Sequence, residues 1–124
     1  MLVIVEDNKA HQLLLQALLN MDCELRIYET LMSAAADIPL AKGVILDWFL
    51  ADGVKADEVG AIDVLVRKGI PFVIYTSADL SDIPASLRDK VVTKDQRAQL
   101  VETASQWFAD ESKRTSNLEN VTYE

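Results

Sequence analysis

The sequence predicts an α/β domain, a doubly wound five-stranded parallel sheet, and three observations carry that prediction. Short apolar runs alternate with amphipathic or polar segments along nearly the whole chain: Leu2–Val5, Leu25–Tyr28, Val44–Leu46, Phe72–Tyr75 and Val91–Val92. Most of these runs are continuously apolar, rich in Val and Ile, as in strands buried on both faces. Between them, apolar residues recur at helical spacing. With 124 residues, half of them hydrophobic, the chain fits one domain with a sizeable core. We read a domain over 1–111 and a polar, aperiodic tail over 112–124.

Leu2–Val5 is stopped by Glu6-Asp7-Asn8, and Asn8 is a candidate cap for the first helix. Ala10, Leu13, Leu14, Ala17 and Leu18 form the expected apolar stripe of that helix, widened by Leu15 and Leu19. Leu25–Tyr28 is more polar, which places it at a sheet edge. A short helix over 31–37 should end at Pro39, and Gly43 opens the third run, which stops at Asp47. Asp52-Gly53 marks a turn. Val59, Ile62, Leu65 and Val66 fit the next helix, with Gly69 as its left-handed cap. Pro71 precedes the fourth run. The polar stretch 77–89, broken by Pro84, has room for only a turn or two of helix. After Val91-Val92 and Thr93-Lys94, Asp95 is placed to cap a last helix carrying Ala98, Val101, Ala104 and Phe108.

Composition removes several classes of function. Twelve basic against 20 acidic residues give a net charge of −8, which argues against general nucleic-acid binding and against anionic membranes. The single cysteine, Cys23, excludes an internal disulfide framework and a multi-cysteine zinc site. No apolar run is long enough to span a bilayer, no basic n-region precedes Leu2, and a cytoplasmic location is the simplest expectation.

In doubly wound sheets ligands bind beyond the carboxyl ends of the strands, where strand order reverses. The residues there are Glu6 and Asp7 after the first strand, Asp47 after the third, Thr76 and Ser77 after the fourth, and Lys94 after the fifth. A single acid ending a strand is ordinary. Three carboxylates, a hydroxyl and an ammonium converging from four strands form a selective pattern, to which the second strand adds nothing. Clustered hard oxygen donors suit Mg²⁺, and a carboxylate beside a metal and a cation can act as a nucleophile toward phosphorus.

With these motifs in order, the chain resembles the receiver domains of two-component response regulators. The matching segments are 3–8 (VIVEDN), 44–53 (VILDWFLADG), 69–78 (GIPFVIYTSA) and 91–94 (VVTK), so the resemblance spans about residues 2–110 and is nearest to short receivers with a degenerate fourth helix. It implies a flavodoxin-like (βα)5 fold with strand order 2-1-3-4-5. It also implies phosphoryl acceptance at Asp47 from a sensor histidine kinase or a histidine phosphotransfer protein. Asp7 would ligate Mg²⁺ directly, Glu6 through water, and Phe49 by its backbone carbonyl, while Thr76 and Lys94 would hold phosphoryl oxygens.

The chain departs from the family at several positions. Asp95 replaces the proline after the lysine and puts the aim of Lys94 in question; Ala51 stands where proline is common. Val91 takes the place of the aromatic switch, and the interval from Thr76 to Lys94 is about one helical turn short. Phe49 and Ala78 stand where residues flank the path of a hydrolytic water, which points to a slowly decaying phosphoryl state. His11 reads as a surface histidine, Trp48 as cover for the cleft edge, and Trp107 as packing in preference to a partner anchor. The expected function is a stand-alone, non-enzymatic switch read out by contact with a downstream protein target, with a homodimer as one form of contact. The alternatives are a pseudo-receiver that is not phosphorylated and, more remotely, a Mg²⁺-dependent phosphohydrolase.

Overall fold

The computed structural model describes residues 1–19, 23–48, 60–77 and 79–108. Five strands, β1 (Leu2–Val5), β2 (Leu25–Tyr28), β3 (Gly43–Leu46), β4 (Phe72–Thr76) and β5 (Val91–Thr93), form one sheet. Its order is β2-β1-β3-β4-β5 and every pairing is parallel, which is the flavodoxin-like arrangement expected. Every residue of β1, β3 and β4 is buried, as their continuous apolar runs required. In β2, at the edge, no residue is fully buried.

Alternation along the strands sorts the core into two layers. Val3, Val5, Val44, Leu46, Phe72 and Ile74 face α2 (Leu31–Ala34) and α3 (Ala61–Lys68), where Leu31, Ala34, Ile62 and Leu65 meet them. Leu2, Ile4, Ile45, Val73, Tyr75 and Val92 face α1 (Lys9–Leu18) and a last helix over 97–108, α4, which bring Leu15, Leu19, Leu100 and Ala104. With helices on both faces, the open ends of the strands are left as the place for a cleft.

The helices depart from expectation in detail. Asn8 caps α1 through its side chain, which accepts from the His11 N–H at 3.0 Å. The buried face of α1 is Leu15 and Leu19, while Leu13 is 67% exposed and Ala10 and Ala17 are exposed. α2 is one turn long, and a 3-10 turn at Ile38–Leu40 carries Pro39 within it. Val66 points outward from α3, and Gly69 closes that helix at φ 66°, a left-handed conformation that a side chain would strain. Asp95 does not cap α4: its carboxylate accepts from the Thr93 hydroxyl, and the helix begins after Gln96, whose Oε1 accepts from the Thr93 N–H at 3.1 Å. The stretch after β4 holds the two expected short turns, Leu80–Asp82 and Ala85–Lys90. The Asp52-Gly53 turn, Val59 and the tail over 112–124 lie outside the described residues.

The exposed edge is tied down by a polar network. Arg26 of β2 donates to both oxygens of Asp37 at 3.1 Å, and the Tyr28 hydroxyl donates to the same carboxylate. The Tyr28 hydrogen bond, with Arg26 beside it, holds the Asp37 carboxyl below the usual carboxylate range. The stability this gives is fully present above the unfolded aspartate pKa of about 4 and is lost as pH falls through the lower folded value. Asp37→Asn should therefore lower the melting temperature at pH 7, with the gap to wild type narrowing as the melts are taken toward pH 3. A gap independent of pH would mean that the carboxylate's charge is not what matters.

Candidate functional site: an acidic cleft at the strand ends

Strand order reverses between β1 and β3, which are neighbours in exact step, Val5 opposite Leu46. The residues that follow them, Glu6 and Asp47, are thus delivered side by side. β4 lies on the other side of β3 and ends in Thr76, which pairs with Thr93 of β5, so Lys94 leaves the sheet at the same rim. The Lys94 N–H donates to the Thr76 carbonyl at 3.2 Å and extends the ladder by one bond.

Glu6, Asp7 and Asp47 bring carboxylate oxygens within 4.8 Å of one another, forming an acidic cluster able to bind a metal ion. Glu6 is 2% exposed, and burial pushes its carboxyl up from the ordinary value. The Lys94 ammonium pulls it back by hydrogen bonding and by charge, while nearby Asp47 adds to the rise. Lys94 Nζ donates to Glu6 Oε1 and lies 3.5 Å from Asp47 Oδ2. The lysine is further fixed by the Tyr75 ring, 4.9 Å from the ammonium, and by the Tyr75 hydroxyl, which donates to the Lys94 carbonyl at 3.1 Å. Described peptide bonds are all trans, and Lys94 reaches the acids with Asp95 behind it.

The two oxygens of Asp47 differ. Oδ1 accepts from the Trp48 N–H at 2.7 Å, and Oδ2 faces Lys94. Trp48 itself is 1% exposed and belongs to the core layer under α2 and α3, so it anchors Asp47 from below and does not cover the cleft edge. Thr76 is buried at the end of β4. Phe49, Ala51 and Ala78 lie outside the described residues.

His11 is the residue that the sequence reading missed. The side chain is surface-exposed as expected, and its Nδ1, 2.9 Å from Glu6 Oε1 and 3.1 Å from Lys94 Nζ, also borders the cleft. No sequence pattern marks it: His11 stands one turn before Leu15 and two before Leu19, the face of α1 that the fold buries. Gln12 adds a hydrogen bond from its side-chain amide to the Glu6 carbonyl.

Fold and cleft together define a receiver-like domain: a five-stranded parallel sheet in the order 2-1-3-4-5 with an acidic cluster at its switch point. The chain is similar to the solution structure of SdrG from Sphingomonas melonis Fr1, with a TM-score of 0.64 and 26% sequence identity over 80% of this chain and 90% of that one. No protein-family model matches the sequence, and no curated protein matches it. No described helix is long and apolar enough to cross a membrane.

Proposed function

We propose that this chain is a phosphorylation-controlled signalling switch in which Asp47 accepts a phosphoryl group. The observation that carries the reading is the placement of Lys94 Nζ, 3.5 Å from Asp47 Oδ2, inside a cleft lined by the three carboxylates of Glu6, Asp7 and Asp47. In the transfer an Asp47 carboxylate oxygen forms a bond to phosphorus. The P–N bond of a phosphohistidine on a sensor histidine kinase or histidine phosphotransfer protein breaks, and its electron pair leaves with the imidazole. Such transfers depend on positioning and charge neutralisation more than on covalent assistance. The Trp48 N–H fixes Asp47, the Lys94 ammonium offers positive charge to the incoming oxygens, and Thr76 at the neighbouring strand end offers a hydroxyl.

The donor set fits Mg²⁺, which takes hard oxygen ligands, often one or two carboxylates. Glu6, Asp7 and Asp47 would hold it, and when bound it would neutralise phosphoryl charge. Intact-mass analysis after treatment with acetyl phosphate and Mg²⁺ tests the reading, with one phosphoryl group added per chain as the expected result. Failure to label, with Mg²⁺ bound, would favour the pseudo-receiver. Catalytic turnover of a generic phosphoester would favour the phosphohydrolase.

Output would pass through a downstream protein contact or a second copy of the chain. The segment between β4 and β5 is the best candidate for the element that changes. Its two short turns are pinned by the buried Ile83 and by Arg88, whose Nε donates at 3.0 Å to the carbonyls of Leu80 and Ile83. A phosphoryl group held by Thr76 and Lys94, at the two ends of this segment, can reorder it through charge-assisted hydrogen bonds. Hydrogen exchange with and without beryllofluoride should show changed protection over 77–94. Change elsewhere with none in this segment would defeat this account of the output.

A further inference from the structure

We propose that Tyr75 is a positioning residue that aims the Lys94 ammonium at Asp47 and so sets the rate at which Asp47 takes up a phosphoryl group. The end of β4 grips Lys94 at three points. The Lys94 N–H donates to the Thr76 carbonyl at 3.2 Å. The Tyr75 hydroxyl donates to the Lys94 carbonyl at 3.1 Å, and the centroid of the Tyr75 ring lies 4.9 Å from Lys94 Nζ. The roles in these contacts are fixed: a carbonyl only accepts, and the face of an aromatic ring attracts a cation. Tyr75 is 2% exposed and sits in the core layer with Leu2, Ile4, Ile45 and Val92, so the ring is itself held. One buried side chain thus restrains both the main chain of Lys94 and the far end of its flexible four-carbon stem.

Tyr75 supplies a hold that the acids of the cleft do not. Glu6 and Asp47 also face the ammonium, but both belong to the acidic cluster that could bind a metal ion. The Tyr75 ring and hydroxyl are uncharged and stand outside that cluster, so their hold on Lys94 does not depend on what the carboxylates bind. An ammonium kept 3.5 Å from Asp47 Oδ2 is positive charge already in place where phosphoryl oxygens would arrive. A charge held in advance needs no ordering during the reaction, and ordering is where rate is lost. The inference rests on the receiver reading for what Lys94 does. The contact between ring and lysine is tested without a phosphoryl donor, so the two can fail separately.

The test compares two variants of the full chain. Tyr75→Phe keeps the ring and the volume and removes the hydroxyl; Tyr75→Leu removes both hydroxyl and ring. Labelling by acetyl phosphate in saturating Mg²⁺ is timed by intact mass. The loss of one neutral hydrogen bond predicts labelling about fivefold slower in Tyr75→Phe. The further loss of the ring predicts a slowing of about tenfold or more in Tyr75→Leu. Both effects should vanish in a Lys94→Met background, since their mediator is gone, whereas loosened packing would slow labelling in either background. The second readout is the proton NMR spectrum of the metal-free chain. Protons over an aromatic face resonate upfield, so the Lys94 Cε protons should be shifted upfield in wild type and Tyr75→Phe and return toward their ordinary position in Tyr75→Leu. Should Tyr75→Leu not fold, Tyr75→Phe and the wild-type shift decide the matter. Wild-type labelling rates in Tyr75→Phe, equal slowing with and without Lys94, or an unshifted Lys94 methylene in wild type would each overturn the proposal and leave the receiver reading standing. A wild type that does not label at all would overturn that reading and this inference with it.

Discussion

Asp47→Asn is expected to remove phosphoryl labelling altogether. The amide that replaces the carboxylate has no anionic oxygen to form a bond to phosphorus, and its nitrogen lone pair is delocalised into the carbonyl. The substitution preserves shape and keeps an oxygen that can accept the Trp48 N–H hydrogen bond, so the fold around the acceptor should survive. Its companion, Asp7→Asn, removes a charge from the acidic cluster while leaving the acceptor in place. That variant should still label, at higher Mg²⁺, with its affinity reduced about tenfold or more. The magnitude follows from losing one charged oxygen ligand among three, the same order as losing a charge-assisted hydrogen bond of about 1.5–3 kcal/mol. Intact mass across a Mg²⁺ series separates the two effects. Equal labelling of wild type and Asp47→Asn would move the acceptor to another residue and defeat the assignment.

Charge economy governs how the cleft holds these acids. Two of the three carboxylates have partners within the described residues: Glu6 has Lys94 and His11, and Asp47 has Lys94 and the Trp48 N–H. One ammonium thus serves two carboxylates, a deficit of positive charge that a divalent cation would correct. A phosphoryl group would share the three N–H donors of Lys94 with Glu6 and Asp47.

How far the sequence reveals this architecture depends on the kind of burial each residue experiences. β1, β3 and β4 are legible as unbroken apolar runs because both their faces are covered, and β2 is legible as an edge because Arg26 and Tyr28 interrupt its run. The phase of α1 is not legible. Leu13, Leu14, Leu15, Leu18 and Leu19 surround most of the helix, so apolar periodicity does not choose a face. The contact with Leu2, Ile4 and Ile45 chooses Leu15 and Leu19. Misplacing that face turns His11 outward and hides it from the site. Glu6, Asp47, Thr76 and Lys94 are legible because a parallel sheet delivers all its carboxyl ends to one rim, whatever the helices do. The path of Lys94 is a different matter. Its contact with Glu6, 88 residues earlier in the chain, depends on side-chain reach that no local pattern encodes.

Gly43→Ala is expected to destabilise the fold, although replacing a strand glycine usually helps. Glycine in a strand loses more backbone freedom on folding than alanine, and a tolerated replacement stabilises by about 0.4–1 kcal/mol. Gly43 opens β3 with no left-handed φ, so its conformation is open to any residue, and the constraint is space. A Cβ there would lie 2.3 Å from Trp107 Cε3 and 2.7 Å from Cζ3, far inside contact distance. The indole of α4 is therefore laid directly on the β3 backbone, the packing role expected for Trp107. Relief requires the ring to swing away, or α4 to lift and loosen Leu100 and Ala104 from Val73, Tyr75 and Val92. Overpacking of this kind costs about 1–3 kcal/mol, which for a domain of this size lowers the melting temperature by roughly 5–10 °C. A double-mutant cycle isolates the cause. In a Trp107→Ala background the same Gly43→Ala change should be neutral or stabilising, because the added methyl then meets no ring. If Gly43→Ala costs as much without the indole as with it, the clash lies elsewhere and Trp107 is not what holds position 43 to glycine.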